Sequence, residues 1–227
     1  MPLRRTSRKR AEKTKRKLAS QTRSPINEDR PKFLIVAGPN GSGKTTVFES
    51  TILQDIGRAV WIINPDLLAI RIRRVESLGN RAANLEAVRR IERWLKASIQ
   101  AHQTIGVETV LSTPKYRKLV RLAKSREFEI VLVYVLLNSA KLNVARVALR
   151  VKKGGHHVPV RKILSRRVRS LRQLPWFLHH ADVAWLYDNS GSAPRLIATK
   201  DNGGVLIDPG AMPEIMKAAV ASLRLRD

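Results

Sequence analysis

Residues 33–45 read FLIVAGPNGSGKT, an apolar run followed by the pattern G-x-x-x-x-G-K-[ST]. The apolar run predicts a buried strand, and the residues after Lys44 predict the start of a helix. Glycines in such a turn let the backbone N–H groups face inward, so that they can surround the phosphates of a nucleotide. A glycine-rich turn without a binding role would not call for Lys followed by Thr at this position. The sequence therefore predicts a phosphate-binding loop (P-loop).

This turn also predicts the nucleotide contacts. The Lys44 side chain would reach the β- and γ-phosphates, and the Thr45 hydroxyl would ligate Mg²⁺. The positive end of the following helix favours the same anionic ligand. The predicted contact set is Gly38, Pro39, Asn40, Gly41, Ser42, Gly43, Lys44, Thr45 and Thr46. ATP and GTP, each with Mg²⁺, are both compatible with this set.

The composition is that of a strongly basic globular chain. Its 227 residues are 43% hydrophobic, enough for one core, and 44 Lys and Arg against 18 Asp and Glu give a net charge of +26. Cysteine is absent, which excludes disulfides and cysteine-ligated zinc and favours a cytoplasmic location. No apolar run approaches the ~18 residues of a membrane span, and the N-terminus lacks the apolar segment of a secretory signal.

The charge is concentrated at the N-terminus, where residues 1–24 carry ten basic side chains against Glu12 alone. Few apolar residues are present there to offset the entropy of ordering. We therefore expect a disordered basic arm over residues 1–30 and a single domain over 31–227. The arm could contact nucleic acid non-specifically through residues 1–24. A solvated tail and a start codon assigned too far upstream are the alternatives.

Strands alternate with long helical patterns along the domain, which predicts an α/β fold with a mainly parallel sheet between two helix layers, a three-layer sandwich. The longest apolar run, Ile130 to Leu137, is typical of a strand covered on both faces. A third strand is predicted over 104–107, a basic helix over about 160–173, a hairpin over 195–199 and 205–207, and a closing helix from about Pro213. Ligands of such sheets bind beyond the carboxyl ends of the strands.

Asp66 lies at the predicted carboxyl end of the strand that follows the P-loop helix. A carboxylate at this edge could take the proton of an acceptor hydroxyl during phosphoryl transfer, so Asp66 is the candidate general base. The alternative is that Asp66 caps the next helix. Glu108 and Thr109 close the next strand and are candidates for binding the substrate. Glu108 could bind an acceptor hydroxyl or orient the Mg²⁺ shell, and the alternatives for it are a helix cap or a surface ion pair. Strand 130–137 ends in Asn138 rather than in an acid, which argues against a mechanical or switch NTPase.

Residues 146–172 are rich in arginine and are interrupted by Gly154-Gly155. Guanidinium groups bind phosphate oxygens in pairs, and a glycine hinge suits a lid that closes over a nucleotide. Arg150 and Arg166, on either side of the hinge, are predicted to stabilise the transferring phosphoryl group. Most other cations here would simply be solvated. The adjacent histidines lack a third zinc ligand, so His156 is predicted to contact a phosphate or a sugar.

In this order, the motifs I-V-A-G-P-N-G-S-G-K-T-T, I-N-P-D, E-T-V-L-S, R-V-K-K-G-G-H-H-V-P and Y-D-N-S-G resemble the zeta toxin family of P-loop kinases over about residues 32–200. The resemblance implies an ATP- or GTP-dependent kinase of a small-molecule hydroxyl, with UDP-N-acetylglucosamine as the best-known acceptor, and an antitoxin protein as partner. It places the Walker lysine on Lys44, the base on Asp66, a substrate-contacting acid on Glu108 and one lid arginine on Arg150.

The chain also departs from the family pattern. His156 stands at the position of the family's second lid arginine, so Arg166 or Arg169 would have to supply that positive charge. The segments that bind the sugar nucleotide are shorter than in larger toxins. Two other functions remain open from the sequence: a polynucleotide 5′-hydroxyl kinase, and a nucleic-acid-binding protein with a regulatory ATP site.

Overall fold

The computed structural model describes residues 29–51, 61–201 and 204–208. They form one seven-stranded sheet in the order β2-β3-β1-β4-β5-β6-β7. The strands are β1 (Lys32–Ala37), β2 (Ile62–Ile63), β3 (Ile105–Thr109), β4 (Glu129–Leu136), β5 (Val183–Asp188), β6 (Arg195–Asp201) and β7 (Gly204–Ile207). The first five are parallel, and β6 and β7 add an antiparallel edge. The predicted mainly parallel α/β fold is confirmed.

Helices cover both faces of the sheet. They are α1 (Lys44–Thr51), α2 (Pro65–Val75), α3 (Asn80–Gln100), α4 (Arg117–Lys124), α5 (Ala140–Lys152) and α6 (Val160–His180), with a 3₁₀ turn at Pro114–Tyr116. One apolar core joins the sheet to α3, α4 and α6, and a second joins the opposite face to Val47 and Phe48 of α1. Every residue of β4 is buried, as the long apolar run predicts. None of the helices in the described ranges has the length and apolar character to cross a bilayer.

The sheet order positions the P-loop. β1 is central, with β3 on one side and β4 on the other. The chain therefore passes from β1 to the edge strand β2, returns to β3 between them, and then continues on the opposite side of β1 with β4. A change of direction of this kind leaves a crevice at the carboxyl ends of the strands, which is where α/β sheets bind ligands. The turn Gly38–Gly43 lies directly after β1 in that crevice.

Several element boundaries differ from the sequence prediction. β3 continues two residues further, so Glu108 and Thr109 are paired with Val36 and Ala37 of β1 rather than lying beyond the strand. α6 continues to His180, through Pro175, because Phe177 and Leu178 extend its buried apolar face. The predicted hairpin is present as β6 and β7. The predicted N-terminal arm up to residue 28, and the closing helix from Pro213, lie outside the described residues.

Candidate active site

Three glycines determine the conformation of the P-loop. Gly38, Gly41 and Gly43 have φ angles of 145°, 74° and 83°, in the region that side chains disfavour. Space is also lacking, because a Cβ at Gly41 would lie 2.7 Å from the backbone oxygen of Asn143. A Cβ at Gly38 would collide with the Val135 carbonyl oxygen, and one at Gly43 with the side chain of Asn189. Both conformation and packing therefore require glycine at these positions.

Two asparagines from distant parts of the chain hold the outer side of the P-loop. The Asn143 Nδ2 group on α5 donates a hydrogen bond to the Asn40 carbonyl oxygen at 2.7 Å. The Asn189 Nδ2 group, just after β5, donates to the Ser42 carbonyl oxygen at 2.9 Å. Fixing these carbonyls orients the intervening peptide groups of the turn. Neither asparagine belongs to the P-loop motif, and the sequence analysis did not identify either.

Behind Asn143 lies a buried arginine, which the sequence analysis also missed as a site residue. Arg167 on α6 is only 4% exposed, and its Nη1 group donates to Asn143 Oδ1 at 2.8 Å. Burial lowers the pKa of Arg167, and the nearby Tyr134 acts in the opposite direction. No carboxylate of the described residues forms an ion pair with it. The α6 helix is thereby linked to the P-loop through a single asparagine.

Lys44, Thr45 and Glu108 converge at the start of α1. The Thr45 hydroxyl donates to Glu108 Oε2 at 2.8 Å, and Lys44 Nζ lies 3.8 Å from Glu108 Oε1. Burial lowers the pKa of Lys44, while the charges of Glu108 and Asp66 oppose that shift. The sequence analysis predicted all four residues, and the structure brings them to one end of the sheet.

This donor set suits a hard divalent cation. A threonine hydroxyl and a carboxylate offer the oxygen ligands that Mg²⁺ prefers, and Mg²⁺ is usually bound by one or two protein oxygens together with phosphates. Thr45 and Glu108 provide that pair. Among the described residues no group of three or more His, Asp or Glu side chains could hold a metal ion. Retention of Mg²⁺ at Thr45 and Glu108 would therefore depend on phosphate oxygens.

Asp66 is the second residue of α2 and does not cap it. The N-cap is Asn64, whose Oδ1 accepts hydrogen bonds from the Asp66 and Leu67 backbone N–H groups at 2.9 and 3.4 Å. The Asp66 carboxylate is exposed and makes no hydrogen bond or ion pair with another described residue. Its charge acts on Lys44 and on Lys115, so it faces the same cleft as the P-loop lysine. The geometry thus leaves Asp66 free to meet a ligand.

Thr109, by contrast, has its backbone carbonyl and its hydroxyl engaged in hydrogen bonds within the domain. Its carbonyl oxygen accepts from the Gly38 N–H group at 3.2 Å, and its hydroxyl accepts from the Leu111 N–H group at 3.0 Å. The buried Tyr116 hydroxyl also bonds to Thr109, and burial raises the pKa of that tyrosine. These contacts hold the turn after β3, in which Leu111 has a φ of 57°.

The glycines of the predicted lid hinge lie between α5 and α6. Gly154 has a φ of 84°, and the Gly155 N–H group donates to the Arg150 carbonyl oxygen at 2.9 Å. The Arg150 Nη2 group donates to the His156 carbonyl oxygen at 2.9 Å, so this arginine braces the hinge through the backbone of His156. The Arg150 charge also reaches Lys44, where it opposes the protonated form. The His156 side chain is exposed at the hinge.

Arg146 and Arg166 flank this cleft at different places. Arg146 Nη1 lies 3.9 Å from the position that a Cβ on Gly43 would take, so Arg146 reaches the P-loop one helical turn before Arg150. Arg166, half-buried on α6, lies by Lys115 instead. Burial lowers the pKa of Lys115, the charges of Glu92 and Asp66 oppose that shift, and Arg166 adds to it. Arg150 thus lies on the phosphate side and Arg166 on the Asp66 side.

Arg146 and Lys115 were not singled out in the sequence analysis, although spacing offered a signal for Arg146. It precedes Arg150 by four residues, which places both on one face of a helix. Among the remaining predicted contacts, Pro39 accepts from Lys44 Nζ at 3.4 Å through its carbonyl oxygen, and Thr46 is exposed on the first turn of α1.

The family model described as zeta toxin matches residues 15–205, a range that begins within the predicted arm. An uncharacterized protein of Haemophilus influenzae is 31% identical over 127 residues, which cover 56% of this chain and 86% of that protein.

Solved structures of similar fold include three complexes. The AvrRxo1-ORF1:-ORF2 complex with ATP is 17% identical, with a TM-score of 0.65 over 87% of this chain and 69% of that chain. The PezAT chromosomal toxin–antitoxin system of Streptococcus pneumoniae is 15% identical, with a TM-score of 0.58 over 95% and 98%. The Pnkp1/Rnl/Hen1 RNA repair complex is 18% identical, with a TM-score of 0.50 over 66% and 47%. At these identities the likeness concerns the fold.

Proposed function

The chain belongs to the zeta toxin family, and on that basis we propose that it is a P-loop kinase that phosphorylates a hydroxyl group of a small molecule. The observation that carries the proposal is the convergence of four side chains at one edge of the sheet: Lys44, Thr45, Glu108 and Asp66. A nucleotide sugar such as UDP-N-acetylglucosamine is the first acceptor to test, because the family resemblance implies it.

Each of these groups has a distinct part in the proposed reaction. The P-loop amides and Lys44 would bind the phosphates, and Thr45 with Glu108 would hold Mg²⁺. Bound ATP·Mg²⁺ would supply the phosphoryl group. Asp66 would accept the proton of the acceptor hydroxyl, which is the role that a free carboxylate at this edge can fill. Arg150, near Lys44, would stabilise negative charge on the phosphate side, with Arg166 on the acceptor side.

Similar structures support the expected donor and one expected partner. The AvrRxo1-ORF1:-ORF2 complex is one with ATP, which supports ATP as the donor. PezAT is a toxin–antitoxin system, which supports an antitoxin protein as a partner of this chain. The cytoplasmic location expected from the absence of cysteine is compatible with both.

A polynucleotide 5′-hydroxyl kinase is the second candidate. The net charge of +26 favours an anionic acceptor, and the Pnkp1/Rnl/Hen1 complex of similar fold is an RNA repair complex. A third function, a nucleic-acid-binding protein with a regulatory ATP site, would need the P-loop but not Asp66.

A transfer assay separates these functions. The chain is incubated with ATP labelled in its γ-phosphate and with nucleotide sugars, nucleosides or a 5′-hydroxyl oligonucleotide. We expect a labelled nucleotide sugar, no product with Lys44→Ala, and a rate lowered by about 10²–10⁴ with Asp66→Asn. Glu127→Gln, which alters an exposed carboxylate elsewhere on the domain, is the matched control and should leave the rate unchanged.

Three outcomes would contradict parts of the proposal. Undiminished transfer by Asp66→Asn would exclude Asp66 as the base. Transfer to the oligonucleotide alone would replace the small-molecule acceptor with a polynucleotide. ATP binding without transfer to any hydroxyl would favour the regulatory ATP site.

A further inference from the structure

Two neighbouring helices of the domain carry cations without acids. No Asp or Glu occurs between Glu129 and Asp182, a stretch that includes all of α6, and none occurs between Thr109 and Glu127, which includes α4. The two helices lie side by side on one face of the sheet, where both contribute to the same apolar core. These two helices therefore contribute basic but no acidic side chains to that face of the domain.

Aromatic rings lie among the basic side chains of these two helices. The Arg117 Nη2 group on α4 donates to Gln173 Oε1 on α6 at 2.8 Å, and its guanidinium carbon lies 4.9 Å from the ring centre of Trp176. The Arg121 guanidinium lies 5.7 Å from the same ring. Trp176 in turn stacks on His180 with ring centres 3.8 Å apart. We call this surface the α4/α6 seam; it comprises Lys115, Arg117, Lys118, Arg121, Arg166, Arg169, Gln173, Trp176 and His180.

Most cations of the seam have no anionic partner. Lys118, Arg121 and Arg169 are exposed, and none of them forms an ion pair with an acid of the described residues. Arg169 precedes Gln173 by four residues and so lies on the same face of α6. Just outside the seam, Lys124 at the end of α4 is neutralised by Asp182, with the two charged groups 2.9 Å apart. The seam therefore offers unneutralised positive charge beside an aromatic stack.

The seam runs from the candidate active site to the point where the basic N-terminal segment joins. At one end Lys115 lies within electrostatic reach of Asp66 and Arg166. Beyond the other end, after α4, the Glu127 carbonyl oxygen accepts from Arg30 Nε at 2.7 Å, and the Phe128 carbonyl oxygen accepts from Arg30 Nη2 at 3.2 Å. Arg30, near the start of the described residues, is thus held beside the end of α4, and in the sequence it is preceded by ten basic residues before residue 25.

We propose that the α4/α6 seam binds single-stranded nucleic acid. Backbone phosphates would contact Lys118, Arg121 and Arg169, and a base would stack against the exposed part of the Trp176–His180 pair, in which both residues are half-buried. Proteins that bind single strands combine a basic track with aromatic stacking in this way, because every base has a stacking face. The phosphate contacts are independent of sequence and predict binding that weakens with salt. The proposal does not depend on phosphotransfer, since binding needs neither ATP nor Asp66.

The charge contribution is tested in the full chain with a fluorescent oligouridylate, without nucleotide, by anisotropy at several salt concentrations. The variant Lys118→Glu/Arg121→Glu is compared with Arg71→Glu/Arg74→Glu, which makes the same charge change at exposed positions of α2. We expect the seam variant to bind at least about tenfold more weakly, with a salt slope smaller by about 1.4, because each lost phosphate contact contributes about 0.7 for single strands. The α2 variant should keep the wild-type slope. Equal losses in both variants would overturn the proposal.

The aromatic contribution has its own matched pair. Trp176→Leu should weaken binding about tenfold through the loss of one stacked base, whereas Trp61→Leu, which removes a tryptophan that is 65% exposed on the β2 edge, should not. If Trp176→Leu does not fold, photocrosslinking of wild-type protein to thiouridine-containing RNA replaces it. Adducts should then map to residues 169–180. Adducts confined to residues 1–28 would assign the binding to the N-terminal segment instead.

A competition experiment separates nucleic acid from acidic protein. Polyglutamate of matched charge carries carboxylates but no bases, so it should displace the labelled oligouridylate much less efficiently than unlabelled oligouridylate does. Equal displacement by the two polyanions would overturn the nucleic-acid assignment and favour an acidic protein on the seam.

Discussion

The two halves of the candidate active site are built differently. On the donor side, the P-loop is held by Asn143 and Asn189 from α5 and from the end of β5, and a buried arginine supports the first of these. On the acceptor side, the Asp66 carboxylate is exposed and bonds to no other described side chain. The backbone at Asp66 is fixed through the Asn64 cap, and α2 is held by Ala69 and Ile72, which pack on α3.

The difference between a P-loop held by hydrogen bonds and an unbonded Asp66 carboxylate suits the ligand proposed for each half. A nucleoside triphosphate presents the same phosphates to every P-loop, so a rigid cradle with fixed amides costs no reorganisation on binding. In the proposed reaction the acceptor hydroxyl would approach a carboxylate that can take up its proton, and Asp66 is exposed and so open to it. Substitutions in the donor half should therefore reduce stability and nucleotide binding together, whereas those in the acceptor half should reduce turnover alone.

Gly38→Ala should have the largest effect. The new Cβ would collide with the Val135 carbonyl oxygen in a backbone conformation that alanine disfavours. We expect nucleotide binding to be lost and the free energy of unfolding to fall by about 3 kcal/mol or more. The measurements are titration with a fluorescent ATP analogue and urea unfolding.

Gly79→Ala is the matched control for this substitution. Gly79 is the N-cap of α3, has a φ of −62°, and a Cβ there would have no heavy atom within 4 Å. We expect a change in the free energy of unfolding within about 1 kcal/mol and normal nucleotide binding. Normal binding by Gly38→Ala as well would show that the donor half does not require this turn conformation.

Asp66→Asn tests the acceptor half. The exposed side chain loses its charge but keeps its size, so the free energy of unfolding should change by less than about 1 kcal/mol, through the dipole of α2. Nucleotide affinity should change little, while phosphotransfer falls by about 10²–10⁴. Unfolding, nucleotide titration and single-turnover transfer on one preparation give the three values. A parallel loss of nucleotide affinity would contradict the separation of the two halves.

Asn143→Leu should have an intermediate effect, on the donor half only. It leaves the Asn40 carbonyl oxygen and the buried Arg167 guanidinium without their partner, which should cost about 2–4 kcal/mol of unfolding free energy and weaken nucleotide binding about tenfold.

Arg167→Met is the comparison for Asn143→Leu. It removes the desolvated cation itself and leaves the bond from Asn143 to Asn40 in place, so it should cost less, about 1–2 kcal/mol. Urea unfolding ranks the two variants, and a larger loss in Arg167→Met would mean that the arginine stabilises α6 rather than the P-loop.

The difference between local motifs and contacts across the chain explains how much could be predicted from the sequence. The P-loop, its Lys-Thr pair and the mainly parallel α/β fold follow from local patterns, and Asp66 was found because parallel strands end at one edge. Asn143 and Asn189 contact the loop across 103 and 147 residues of sequence, and no local pattern signals such pairs. Asn189 follows a strand at the active edge, so the rule that identified Asp66 applied to it too.

The smallest expected effect is a dependence on pH, for which one lysine from each half of the site is compared. Burial lowers the pKa of both Lys44 and Lys115 from the ordinary value of 10.5. Because the folded chain then binds fewer protons than the unfolded chain between the lowered pKa and 10.5, each lysine's contribution to stability rises with pH across that window. Nucleotide binding should respond in the opposite direction, since phosphates need the protonated Lys44.

We therefore expect the nucleotide dissociation constant to rise a few-fold when the pH is raised from about 7 to about 10, below the ordinary lysine pKa. Lys115→Met should show the same dependence of the nucleotide dissociation constant on pH, because Lys115 lies on the acceptor side. Calorimetric titrations of wild type and Lys115→Met across this range provide the measurement. If the nucleotide dissociation constant no longer depends on pH in Lys115→Met, then Lys115 contacts the phosphates. The donor and acceptor halves would in that case not be separate.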